Sequence, residues 1–298
     1  IFNFIRLRKY LCWGMVSFHT LCPMRHLKPA LYVFALNVII SIYLQLNNVL
    51  LGFMKDTEAV GYFTAATKIM VITMSISSAL GAVIMPRTSN LIAEERMDEF
   101  KALVQKSYDF IFALAMPLMV GLIFTSPSAV LLLSGEGFVP AILTSQIVAF
   151  NILMVGLSGV MGIQVLYPLG KINIVILCTS IGAIINVFLN VLLIPRYGHN
   201  GTAVAYMLAE MAVTVSMFFI GKRYIPIRFL KRQHLNYVLG SVVMGVCLYF
   251  ISWLGLGNTA TLVMMISMGG IVYVVILLFL RDSIGMIPWR ILREKFGK

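Results

Sequence analysis

The chain has 298 residues, of which 60% are hydrophobic and only 11% charged, with a formal net charge of +12. Soluble domains carry about 25% charged residues, so this composition excludes a water-soluble globular fold and makes the bilayer the solvent, where only helices or closed barrels satisfy the backbone. The apolar runs are about 20 residues long and lack strand-like alternation, which selects an all-α integral membrane protein.

In chain order, residues 1–28 form a basic segment with no secretory signal pattern. The chain starts at Ile1, and "IFNFI" reads as the tail of an earlier helix, so a longer protein is expected. Cys12, His19, Cys22 and His26 match no usual zinc-ligand spacing. Eight transmembrane helices follow, at 30–53, 61–85, 105–125, 139–167, 172–194, 201–220, 237–255 and 260–280. With the N-terminal segment in the cytoplasm, 20 basic residues fall on inner segments and 2, Lys55 and Arg196, on outer loops. This asymmetry obeys the positive-inside rule and places both ends on the cytoplasmic side. The excess positive charge is therefore topological, and nucleic acid is excluded as a partner.

The first span carries Asn37, Ser41, Gln45 and Asn48 at i, i+4, i+8 and i+11, one face of a helix. One or two such residues would serve interhelical bonding; a stripe of four suggests a hydrated cavity. The second span has one charged residue, Lys68, in an otherwise apolar or small run. Burying a cation there costs roughly 2.5–3.5 kcal/mol on insertion scales. The connection "RTSNLIAEERMDEFKALVQKS" reads as amphipathic, with Leu91, Ile92, Phe100, Leu103 and Val104 facing the membrane. After the third span the apolar "AVLLLSG" is expected to re-enter the membrane edge. The fourth span scatters Gln146, Asn151, Ser158 and Gln164, and its "GLSGVMG" marks close helix packing.

Asn186 and Asn190 lie one turn apart on the fifth span, and Glu210 is the acid of the sixth. The segment "GKRYIPIRFLKRQHLNY" is basic and interfacial, suited to anionic lipid. The last two spans carry almost no polar residues. The domains are therefore 1–28, a cytoplasmic basic segment; 29–220, a six-helix unit; and 221–298, a basic linker, two extra helices and a cytoplasmic tail. "NVLL" closes both the first and fifth spans, a faint internal repeat of the kind transporters contain.

Lys68 is seven residues past Gly61 and Glu210 nine past Gly201, which sets both roughly 10–14 Å below the outer boundary. Gln45, Asn47 and Asn48 share that layer. Three readings of Lys68 stay open: an ion pair with Glu210, a snorkelling side chain, or a cation lining a cavity. No catalytic constellation, cofactor motif or metal-ligand set is visible, so no enzyme is expected.

The run "GKINIVILCTSIGAIINVFLNVLLIPRYGHNGTAVAYMLAE", with Gly170-Lys171, Asn186, Asn190, Ile194-Pro195, Gly198, Gly201 and Ala205, resembles the signature of Wzx-type polysaccharide flippases of the MOP superfamily. "HLKPALYVF" and "YLQLNNVLLGFMKDTEAVGYFTAATKI" resemble the opening of that family's second lobe; the likeness covers about residues 26 to 220. It implies a MATE-like fold in which this chain supplies the second lobe plus two C-terminal helices, with the first lobe missing. It also implies translocation of an undecaprenyl-diphosphate-linked oligosaccharide across the bacterial cytoplasmic (inner) membrane for polysaccharide or O-antigen synthesis. The implied partners are that glycan lipid, membrane lipids and glycan polymerase or assembly proteins. The family often carries Asp where Asn47 stands, so a cation-coupling carboxylate is lost at this position. On position, Lys68 is the candidate for the anionic head group, with Asn37, Gln45, Asn48, Asn186 and Asn190 facing substrate and Glu210 as coupling or pairing carboxylate. A cation-coupled multidrug antiporter, a lipid II flippase and a non-transporting scaffold are the competing readings.

Overall fold

The computed structural model describes residues 23–229 and 231–280, apart from the side chains of some positions between 23 and 82. The Cys12, His19, Cys22 and His26 side chains, that of Asn37 and the basic tail beyond residue 280 lie outside the described residues. Two compact units are present, Ile1–Val38 and Ile39–Lys298, and every buried side chain among the described residues belongs to the second.

All regular structure among the described residues is helical. The helices are α1 (Pro23–Met54), α2 (Thr57–Ala93), α3 (Met97–Ser134), α4 (Ala141–Val148), α5 (Phe150–Gly159, continued by a π-helical stretch Val160–Leu166), α6 (Ile172–Gly221), α7 (Arg232–Ser252) and α8 (Asn258–Phe279). Five segments among the described residues are long and apolar enough to cross a bilayer: α3, Ala141–Leu166, α6, α7 and α8. The chain is a multi-pass membrane protein.

Two local features depart from the sequence reading, and a third bears it out. "AVLLLSG" does not form a re-entrant loop, because α3 runs helically to Ser134. Leu91, Phe100 and Val104 are buried against the protein and do not line a membrane-facing stripe. The fifth and sixth spans keep the break expected at "RYGHN": they are the two halves of α6, which turns back where Gly198 takes φ 55° and ψ −133°. That conformation suits glycine, which has no Cβ to clash. At Gly201 a Cβ would come within 2.6 Å of the Leu193 carbonyl oxygen, so the reversal closes only over a bare backbone.

Prolines explain how α3 binds its neighbours. A proline inside a helix has no N–H for the carbonyl four residues back. Pro117 thus frees the Ala113 carbonyl, and the Tyr273 hydroxyl of α8 donates to it at 2.6 Å. Pro127 frees the Ile123 carbonyl, which accepts from Gln146 Nε2 of α4 at 3.2 Å. Each break in the α3 ladder is repaired by a different partner helix. Around the first, Ala113, Tyr237, Met244, Leu248, Met265, Tyr273 and Leu277 form an apolar cluster of α3, α7 and α8. A separate cluster of Leu51, Phe63, Ala66, Met70, Met119, Ile152 and Ile194 joins α1 through α6.

Candidate functional site

The second helix starts cleanly because Asp56 caps it, its carboxylate accepting from Ala59 N–H at 2.7 Å. From there Phe63, Ala66 and Met70 fall on the buried face by helical spacing, while Lys68 is turned away and exposed. Lys68 lines a cavity of about 370 Å³ with Gln45, Asn47 and Asn48 of α1, Thr67 of α2 and Tyr206 of α6. Lys68 is the one charged side chain among the described lining residues.

The amides behave differently from one another. Gln45 is exposed and Asn48 half-buried, its Oδ1 accepting from Thr64 Oγ1 at a long 3.4 Å. Asn47 is 1% exposed, and its Oδ1 accepts from Asn190 Nδ2 at 2.8 Å. Asn190 Nδ2 also lies 3.0 Å and 3.1 Å from the backbone and side-chain oxygens of Asn186. Asn186 and Asn190 are both fully buried and do not line the cavity. This trio is a neutral cross-tie between α1 and α6. Glu210 is buried one turn beyond Tyr206 and does not line the cavity either. The ion pairs among the described residues join Arg96 to Glu94 and Glu99, Lys101 to Asp98, and Lys231 and His234 to Asp109; Lys68 is in none of them.

A second, apolar cavity of about 690 Å³ lies between α2, α3, α7 and α8. Its wall runs along α3 from Phe110 to Thr125 and includes Pro117, Met244, Leu248, Met265 and Tyr273. Fifteen residues of helix cover about 22 Å. Ile72, one turn past Lys68, lines both cavities, so the polar and apolar spaces adjoin.

Sequence reasoning missed Asp109. This 8%-exposed carboxylate receives Lys231 Nζ at 2.6 Å, Gln105 Nε2 at 2.8 Å and His234 Nε2 at 3.0 Å. The His234 ring stacks on Phe112, with centroids 4.7 Å apart. The available signal was a lone acid in the apolar third span, with Lys and His 122 and 125 residues further on.

Residues 11–143 match the family of polysaccharide biosynthesis proteins. The probable low-salt glycan biosynthesis flippase Agl15 of Haloferax volcanii is 25% identical over 276 residues, covering 90% of this chain and 58% of that protein. The chain thus spans little more than half the length of this curated relative. Among solved structures, the lipid II flippase MurJ in an inward closed conformation superposes with a TM-score of 0.74 at 17% identity, over 94% of this chain and 60% of that one. An outward-facing multidrug resistance MATE transporter of the MOP superfamily gives 0.58 at 17% identity, over 83% and 60%.

Proposed function

We propose that this chain, a relative of the polysaccharide biosynthesis proteins built on the fold of the MOP transporters, is the second lobe of a flippase for lipid-linked oligosaccharide. The six-helix unit of residues 29–220 pairs with a first lobe, and α7 and α8 are the appended pair. The substrate is a glycan on a polyprenyl diphosphate, moved from the cytoplasmic to the outer leaflet of the cytoplasmic membrane, the bacterial inner membrane on the sequence reading. Both ends of this chain face the cytoplasm.

One observation carries the reading: a cationic, amide-lined cavity adjoins an apolar one at Ile72. A lipid-linked glycan has that same division. Its isoprenoid tail needs apolar surface, whereas its diphosphate and sugars cannot enter hydrocarbon unaided. Lys68 meets the phosphate charge, and Gln45 and Asn48 offer donors and acceptors to sugar hydroxyls. Asn186 and Asn190 serve from behind, holding α1 against α6. Two lobes rocking about such a site give alternating access. A cation-exporting antiporter needs an acid in its cavity, and no described lining residue is one.

The test is Lys68→Ala in the whole transporter, assayed by appearance of the glycan on the outer leaflet. Loss of export with normal membrane insertion is expected; unchanged export refutes the head-group role. Glycan polymerases or assembly proteins are the partners we expect to co-purify with the active protein.

A further inference from the structure

The apolar cavity meets the Lys68 space at Ile72 on its α2 wall, and it extends along α3 beyond that point. Toward the start of α3 its wall reaches Phe110, and on α8 Leu277; Phe110 is next in sequence to Asp109. There the connection between α6 and α7 is held to α3 at two points. Lys231 is drawn onto Asp109 at 2.6 Å. One turn earlier, Gln105 Oε1 accepts from the Arg228 N–H at 2.7 Å, and its Nε2 donates to Asp109 at 2.8 Å. This pins a strap whose other cations stay outside: Arg228 and Arg232 are exposed, as is Lys106 on α3. None of these three has an ion-pair partner among the described residues. Lys231 keeps 26% of its side chain accessible beside its carboxylate. A mere topology signal would need the charges but not the pinning.

We propose that this strap is the loading site for the diphosphate head group in the cytoplasmic leaflet. Arg228 and Arg232, with Lys231 between α3 and the strap, bind phosphate oxygens while the isoprenoid chain enters the apolar cavity at its Phe110 end. Asp109 and Gln105 are positioning residues, fixing the strap at the level of that entrance. The inference rests on the flippase reading and adds a first station to it, with Lys68, reached past Ile72, as the second. The tail can stay in one cavity while the head group passes from strap to Lys68. Guanidinium is suited to the first station because it grips phosphate through two parallel N–H bonds.

The experiment measures binding of undecaprenyl diphosphate to the whole transporter in nanodiscs of zwitterionic lipid. Undecaprenol serves as tail-only probe, inorganic pyrophosphate as head-only probe and phosphatidylglycerol as ordinary anionic lipid. Arg228→Ala with Arg232→Ala is expected to weaken undecaprenyl diphosphate about tenfold or more, as two charge-assisted contacts are lost. Undecaprenol binding should not change, and the paired Arg→Lys variant should recover part of the loss, which shows the fold intact. Asp109→Asn should give a smaller loss of the same kind. The proposal is overturned if the double variant binds undecaprenyl diphosphate like the unmodified protein. It is equally overturned if phosphatidylglycerol weakens by the same factor, which would make the strap a general anionic surface. If Lys68→Ala stops export while the strap variants bind and export normally, the loading site alone falls. If the unmodified transporter binds no undecaprenyl diphosphate, the flippase reading falls with it.

Discussion

Tyr273 offers a direct test of how α8 is held. Its hydroxyl donates at 2.6 Å to the Ala113 carbonyl, which Pro117 has deprived of its helical N–H, and Tyr273 is 8% exposed. Tyr273→Phe removes the donor and leaves a buried carbonyl unpaired. Such a loss costs about 1–3 kcal/mol in soluble proteins, but interhelical bonds in membranes average about 0.6 and reach about 1.7 kcal/mol. A loss of about 1 kcal/mol is expected here, because the orphaned carbonyl has no competing helical donor. Pro117→Ala restores the N–H at position 117, so the same Tyr273→Phe change in that background should cost at most about half as much. The assay is a double-mutant cycle by reversible unfolding in mixed micelles. Equal costs in the two backgrounds would show that the hydroxyl does not stand in for the missing helical bond.

Gly182→Ala would set a Cβ 2.2 Å from Val213 Cγ2 and 3.2 Å from the Ala209 carbonyl, where the two halves of α6 cross. A loss of about 1–3 kcal/mol is expected, and Val213→Ala in the same chain should recover part of it; no recovery would place the strain elsewhere. Asp109→Ala leaves Lys231 and His234 facing an empty site, so a loss approaching 3 kcal/mol is expected in detergent unfolding. A change below about 0.5 kcal/mol would place the cluster among solvated surface pairs. Asn190→Ala should loosen α1 from α6, seen as faster hydrogen exchange in residues 45–52, while leaving the polar lining of the Lys68 cavity in place.

The helices were legible because the apolar runs are long and punctuated by Pro, Gly and charge. Where punctuation misled, a partner supplied by the fold was the cause. "SPSAVLLLSGEGF" looks like a loop because of Pro127, yet Gln146 caps the freed Ile123 carbonyl and the helix continues to Ser134. Lys68 stood out as a lone cation, and its neighbourhood with Gln45 and Asn48 followed from depth. Spacing could not tell Asn47 from Asn48, because two adjacent positions about 100° apart on a helix are sorted by packing alone. Asn47 meets Asn190 across 143 residues of sequence. Asp109 was hidden for the same reason: read locally it is a lone acid in an apolar span, and its charged partner Lys231 and its histidine partner His234 lie more than a hundred residues away.

The polar residues of the membrane layer therefore divide by what they face, and that division sets the sign of the cavity. Asn47, Asn186 and Asn190 spend their polarity on one another across α1 and α6, in a form that carries no charge. The Asp that the resembling family often carries in place of Asn47 would add a negative charge to the lining itself. An amide holds the two helices by the same hydrogen bond and leaves the field to Lys68. Lys68, exposed and in none of the ion pairs among the described residues, is the one charged side chain of the described lining. On the proposed flippase reading, that cation is what receives the diphosphate. The adjoining apolar cavity, on the same proposed reading, favours an anion that carries a long hydrocarbon tail.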